Sequence, residues 1–293
     1  MLKTKMKILI TGAGGQLGKE LVRVFKKKFQ VIATDKNSLD FTNKKQTVEV
    51  TVLERPDFVI HAGAWTDVDG CAKEPKKAMV INGEGTRNVA EAVKNINAKL
   101  IYISTNEVFD GQKKSPYLEM DYPNPITPYG KSKRLGETYA ETVLGPDCSI
   151  VRVAWLYGPA STTNFPHKIV NRAREQGFLK VVEDEISTPT YTPDLAEALE
   201  KLIRKSPSGI FHLVNGGFAS RFEWAELILE LTKMTNVKIK PIKLQDFERD
   251  SKPPNYTVLK NERSAKLGVV LRDWKSACAD YIETSGLINY NHP

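Results

Sequence analysis

The sequence predicts an α/β fold, a doubly wound parallel sheet with a smaller unit interleaved behind it. Three observations carry that expectation. Short apolar runs alternate with stretches of helical periodicity through the first half of the chain. Those runs lack the strict alternation of a half-exposed strand, so they suit a sheet covered by helices on both faces. A cluster of Gly12, Gly14, Gly15 and Gly18 follows the first apolar run and opens the first helix.

Taken in order, Lys7–Thr11 is an apolar run ending at those glycines, and Gln16–Phe25 has helical spacing at Leu17, Leu21, Val24 and Phe25. Residues 30–35 give a second strand and Lys44–Glu54 a second helix, broken by Pro56-Asp57. Phe58–His61 is the third strand, 76–94 a helix and 100–103 the fourth strand. Thr127 then supplies an N-cap with Pro128 at the first helical position; Gly145-Pro146 ends that helix before a fifth strand at 149–153. Beyond Leu156 the rhythm loosens. Helices are expected at 164–176, 192–204, 220–233 and Trp274–Thr284, with a strand at 210–214, while Pro241, Pro253 and Pro254 mark a loop-rich stretch. The division expected is a Rossmann-type unit over residues 1–155 and a smaller unit over 156–293, some of whose segments return to the first sheet.

Bulk properties exclude several classes. With 293 residues, 41% hydrophobic and 27% charged, the chain is large enough for a globular protein with a proper core. No apolar run approaches membrane-spanning length, and the stretch 6–10 is too short for a signal peptide. Cys71, Cys148 and Cys278 are odd in number and lack metal-ligand spacing, which fits reduced thiols in the cytoplasm. His61, His167, His212 and His292 are scattered, so no metal site is expected. The net charge of +8, from 43 Lys and Arg against 35 Asp and Glu, comes without a basic arm or an aromatic–basic platform, so no nucleic-acid partner is expected. That excess reads as a solvated surface, with some attraction for ligands that carry pyrophosphate.

The glycine loop is more specific. Gly12, Gly15 and Gly18 form GxxGxxG at a strand–helix junction. Gly12 permits a sharp turn, Gly15 lets backbone approach a phosphate, and Gly18 lets helix and strand pack closely. The helix beginning at Gln16 and Leu17 presents N–H groups to a pyrophosphate. Asp35 ends the second strand, where an acid accepts bonds from ribose hydroxyls and points to NAD; Lys36 follows at once and can accommodate a 2′-phosphate, so NADP stays open. Asp40 and Phe41 are expected to flank the adenine. The cofactor class is thus NADP or NAD, in reduced form as hydride donor.

Tyr129 and Lys133 stand four residues apart on one face of the helix that starts at Pro128. An ammonium beside a phenol lowers the phenol's pKa from about 10, which equips Tyr129 to exchange a proton with a carbonyl or alcohol oxygen near neutral pH.

With Thr105 just beyond the fourth strand, Thr105, Tyr129 and Lys133 resemble the catalytic set of extended short-chain dehydrogenases/reductases. Longer stretches narrow the resemblance to the dTDP-4-dehydrorhamnose reductase family: His61 to Asp69, Val80-Ile81-Asn82, Ser104 to Gly111, Pro116 to Glu119, Arg152 to Gly158, Asn164-Phe165, Thr188 to Tyr191 and Lys252-Pro253-Pro254. Nearly the whole chain is covered. The resemblance implies reduction of the C4 keto group of a nucleotide-linked 4-keto-6-deoxyhexose, dTDP- or UDP-linked, and admits a homodimer. It makes Tyr129 the proton donor, Lys133 its support and a nicotinamide-ribose ligand, and Thr105 the group orienting the carbonyl. Ala62, Gly63 and Ala64 line the cofactor channel, and Asn82 orders nearby backbone or serves as a helix-interior amide. Thr66, Val68, Glu107 and Trp155 are the expected sugar pocket, with Trp155 a flat wall or a core residue, and Asn164 and Phe165 are expected at the nucleotide end.

Three positions depart from the family pattern. Asn106-Glu107 stands where Asp-Tyr is usual, Asp184-Glu185 where Asp-Gln is common, and Ser220-Arg221 where Ser-Trp is common. The reducing machinery stays complete while the exact sugar and nucleotide stay open. The alternatives are an epimerase or dehydratase of the same fold, to which Glu107 gives some footing, and a regulatory subunit resembling the methionine adenosyltransferase beta subunit.

Overall fold

The computed structural model describes residues 5–288; His292 lies outside them. Its central sheet has six strands in the order Gly209–His212, Cys148–Val153, Lys99–Thr105, Phe58–His61, Lys7–Thr11, Gln30–Thr34, every pair parallel. Lys7–Thr11 is flanked by the second strand on one side and the third on the other. The chain therefore winds in opposite directions from that point, and the crevice lies beyond the carboxyl ends of these strands.

Both faces of the sheet are buried. Ile8, Ile10, Phe58, Ile60, Ile101 and Val151 pack with residues of the helices Gln16–Phe25 and Thr192–Ile203. Leu9, Val59, Leu100, Tyr102 and Ile150 pack with the helices Gly85–Asn95 and Pro128–Leu144. This double coverage explains the unalternating strand sequences. Each fully buried Ile or Leu is favoured by about 1.5–3 kcal/mol over its exposed state.

A third cluster is drawn from residues 155–288 and is rich in aromatics, with Tyr157, Trp224 and Tyr281 almost wholly buried. The C-terminal segment returns to the first sheet through Gly209–His212, as expected, and through Leu271, which packs in the first core.

Two expectations need correction. Pro241 does not lie in a loop: Lys238–Ile242 pairs in parallel with Phe178–Val182, with Pro241 opposite Val181. A two-stranded sheet has only edges, where proline is tolerated because no second neighbour needs its N–H. The helix expected over 76–94 is interrupted by a π-helical segment, Met79–Glu84, between Pro75–Ala78 and Gly85–Asn95. Among the described residues no helix is long and apolar enough to cross a membrane. The three cysteines are free and buried.

Candidate active site

A cleft of about 1010 Å³ opens at the carboxyl edge of the sheet, lined by the glycine loop, Thr105, Tyr129 and Lys133. At the loop, Gly12 has φ +68°, and a Cβ there would sit 2.6 Å from the Gly63 Cα. A Cβ on Gly18 would meet the Gly12 carbonyl at 2.1 Å, so both positions demand glycine. The helix Gln16–Phe25 has no side-chain cap at its N-terminus, and the Gln16 Nε2, which lines the same cleft, is buried without a partner. Uncapped N–H groups, a cradle with no room for side chains and an orphan amide fit a pyrophosphate.

The end of the cleft at Asp35 and Phe41 is also assembled. Asp35 lines the cleft, and its Oδ1 accepts from the Asn37 and Ser38 N–H groups and the Ser38 hydroxyl. Bonds from Ser38 hold this carboxyl below its ordinary value, so it stays ionised. Asp40 accepts from the Thr42 N–H and hydroxyl, which fixes the turn around Phe41. The Phe41 ring occupies a slot between two glycines: a Cβ on either Gly63 or Gly85 would meet it at 2.6 Å. Ala62 and Ala64 line the cleft beside Gly63.

The reacting groups come from two neighbouring elements. Thr105 ends its strand, and its hydroxyl accepts from the Glu107 N–H at 3.2 Å and donates to the Asn106 Oδ1 at 3.1 Å. The helix Pro128–Leu144, capped by Thr127, carries Tyr129 and Lys133. Between them Gly130 passes so close to the 106–108 turn that a Cβ would lie 2.1 Å from the Glu107 carbonyl. That contact brings Tyr129 beside Thr105.

The expected lowering of the Tyr129 pKa is overturned. Its phenol is pushed up, by burial first and then by the Glu107 carboxylate, with the hydrogen bond to Thr105 opposing both. Lys133 does not counter this, because its Nζ donates to the Ile103 carbonyl at 2.7 Å and lies 4.2 Å from the centre of the Tyr102 ring. Burial draws Lys133 itself down to about 7, partly offset by Glu137. Glu137 in turn is gripped by Arg152 through two bonds of 2.9 Å, both side chains being inaccessible to solvent. A phenol that holds its proton at neutral pH is a donor rather than a base.

Of the remaining predicted residues, Thr66, Val68, Glu107 and Trp155 line the cleft. Glu107 accepts from the Thr127 hydroxyl at 2.9 Å. Its carboxyl is raised to about 7 by burial, with Glu185 adding to that and Thr127, Arg249 and Arg221 opposing. Asn82, expected at the cofactor, does not line the cleft: its Oδ1 accepts from the Trp65 N–H, and its Nδ2 donates to the Trp65 carbonyl and the Ser132 hydroxyl. It sits in the π-helical segment and orders backbone behind the cleft, one of the two roles expected.

Asn164 and Phe165 do not reach the cleft. Asn164 caps the helix Phe165–Gln176, and its Nδ2 donates to Gly158, Ser161 and Tyr281, which leaves no amide group for a ligand. Phe165 stacks on Trp224 at 4.6 Å in the third core.

Among the lining residues without an assigned role, two stand out. Asn106 ties the turn to distant segments by donating to the Ser187 and Thr257 hydroxyls. Arg221 lies over the Trp155 ring at 3.5 Å and pairs with Glu185 at 3.1 Å. Only the departures at 106 and 221 signalled them.

The family model described as the RmlD substrate binding domain matches residues 6–286. This chain belongs to that family, the family of the dTDP-4-dehydrorhamnose reductases. A Bacillus subtilis relative, the spore coat polysaccharide biosynthesis protein SpsK, is 37% identical, with 94% of this chain and 97% of the relative covered. The crystal structure of a Clostridium acetobutylicum dTDP-4-dehydrorhamnose reductase superposes with a TM-score of 0.90 at 39% identity, covering 95% of this chain and 99% of that one. The Bacillus anthracis dTDP-4-dehydrorhamnose reductase, solved in complex with NADP, also gives 0.90, at 36% identity, with 96% of this chain and all of that one covered.

Proposed function

We propose that this protein is an NAD(P)H-dependent oxidoreductase that reduces the C4 carbonyl of a nucleotide-linked 4-keto-6-deoxyhexose. The observation that carries the reading is the convergence of Thr105, Tyr129 and Lys133 in one cleft with the glycine cradle. Family membership and the NADP complex of the Bacillus anthracis reductase support the substrate class and the cofactor.

Gly12, Gly15 and Gly18, with the N–H groups of Gln16 and Leu17, would hold the pyrophosphate, and Asp35 and Phe41 the adenosine. When bound, the reduced nicotinamide supplies hydride to the carbonyl carbon. Tyr129 gives its proton to the carbonyl oxygen, and its raised pKa keeps that proton available at neutral pH. Thr105 would turn its one hydroxyl proton from the Asn106 Oδ1 to the same oxygen, and so stabilise the negative charge that develops there. Lys133, whose Nζ donates to the Ile103 carbonyl, would hold the nicotinamide ribose. A proton from solvent then restores Tyr129.

We further infer that residues 1–155 bind the cofactor and 156–293 mainly the sugar nucleotide, as the separate aromatic core of the later segment supports. Three free, buried thiols fit a cytoplasmic enzyme.

Glu107 favours one second reading. A carboxyl titrating near 7, two residues from Thr105, can remove a proton from a sugar carbon, as an epimerase or dehydratase requires. The deciding experiment is NADPH and NADH oxidation with dTDP- and UDP-linked 4-keto-6-deoxy sugars. One cofactor oxidised per sugar reduced supports the reductase; conversion of the sugar without net oxidation replaces it with the second reading.

A further inference from the structure

Arg221 breaks a local rule. It is the first residue of the helix Arg221–Leu231, where the helix dipole disfavours a cation, and the cap is already complete through Ser220 and Glu223. Local rules are broken most often at functional sites. The guanidinium is nevertheless fixed. Its centre lies 3.5 Å from the Trp155 ring centroid, and its Nε and Nη2 donate to the Glu185 Oε1 at 3.3 and 3.1 Å. Trp155 itself sits at φ +39°, a left-handed conformation that a bulky side chain adopts only where its surroundings impose it. With one face on the indole and one edge on the carboxylate, Arg221 keeps Nη1 for a ligand in the cleft it lines.

The charges around it select the ligand. Glu185 is Arg221's partner, Glu107 is within electrostatic reach of both, and nearby Arg249 is held by Asp69 at 3.2 Å. Glu107 and Arg221 both line the cleft, and Glu185 holds Arg221 in place there. We propose that Arg221, clamped by Trp155 and Glu185, is a specificity-determining residue that together with Glu107 grips hydroxyl oxygens of the sugar ring and not the diphosphate. Three carboxylates against two guanidiniums leave no net positive charge to attract a diphosphate. Alternating N–H donors and carboxylate acceptors match a neutral polyol, and a site built to bond hydroxyls rejects sugars that lack them. The ligand class rests on the function proposed above.

The test is equilibrium binding followed by calorimetry and by Trp fluorescence, to which Trp65 and Trp155 in the cleft contribute. The ligands are dTDP-rhamnose and UDP-rhamnose, each against its bare nucleoside diphosphate, with wild type, Arg221→Leu and Glu185→Gln. Arg221→Leu is expected to weaken the better-bound sugar nucleotide at least tenfold, ~1.4 kcal/mol, with the bare diphosphate and NADPH within about twofold. Glu185→Gln keeps the fold's backbone contacts and is expected to weaken the sugar nucleotide in the same selective way, by a smaller factor. A parallel loss for sugar nucleotide and bare diphosphate overturns the proposal, and so does unchanged sugar binding. Failure of the wild type to bind either sugar nucleotide overturns it as well. Selective binding without NADPH oxidation sinks the reductase reading and leaves Arg221's role standing.

Discussion

Replacing Glu107 by Gln isolates the charge beside Tyr129. Burial lifts this carboxyl from 4.5 to about 7, which puts roughly 3 kcal/mol against the ionised form. The side chain keeps some contact with solvent, and screening brings the expected effect to roughly 1–2 kcal/mol. The sign follows from proton linkage. Between pH 4.5 and about 7 the folded protein holds a proton that the unfolded chain has released, so stability falls as pH rises through that window and levels off above it. Gln keeps an oxygen to accept from the Thr127 hydroxyl but carries no charge. Urea unfolding should therefore give Glu107→Gln the same stability as wild type near pH 4.5 and roughly 1–2 kcal/mol more at pH 8. A difference that does not grow with pH, or a variant weaker at pH 8, would refute the account of a carboxylate held at a cost. Sites that bind substrate commonly sacrifice stability in this way.

Other substitutions separate the remaining roles. Tyr129→Phe should lower kcat by about 10²–10⁴ with NADPH affinity unchanged in a fluorescence titration; near-normal turnover would remove Tyr129 as proton donor. Glu137→Gln leaves the Arg152 guanidinium buried and uncompensated, at ~3–5 kcal/mol by urea unfolding. The same change withdraws a group that holds Lys133 protonated, so the basic limb of kcat/KM should move to lower pH. A stationary limb would show that Lys133 does not set it. Asn164→Ala should lower stability by about 1–2 kcal/mol through the lost cap while the KM for the sugar nucleotide stays put; a raised KM would restore its substrate role.

What the sequence revealed follows the range of the physics involved. Periodicity, caps and glycine placement act over a few residues, so Lys7–Thr11, Gln16–Phe25 and the Thr127-Pro128 helix start were all readable. The pairing of Lys238–Ile242 with Phe178–Val182 joins segments far apart, and Pro241 disguised it. Thr105, Tyr129 and Lys133 converge as expected, but the direction of Tyr129's pKa did not follow from Lys133 four residues on. It depends on burial and on Glu107, which the fold brings in from another element. That Asn164 lies off the cleft was not legible, because a capping amide and a ligand-binding amide are the same residue type in the same pattern. The bonds to Tyr281 that distinguish them cross the chain.

The Phe41 slot constrains any attempt to re-engineer the cofactor end. Segment 35–42 lines the cleft where the proposed function puts the adenosine, which makes it the natural cassette to exchange when cofactor preference is to be altered. Its ring, however, is keyed into a gap shared by Gly63, at the end of another strand, and Gly85, on a helix. A transplanted loop will seat only with an aromatic at 41 and bare backbone at 63 and 85. The seating of this loop is thus a property of three separated segments that have to stay matched.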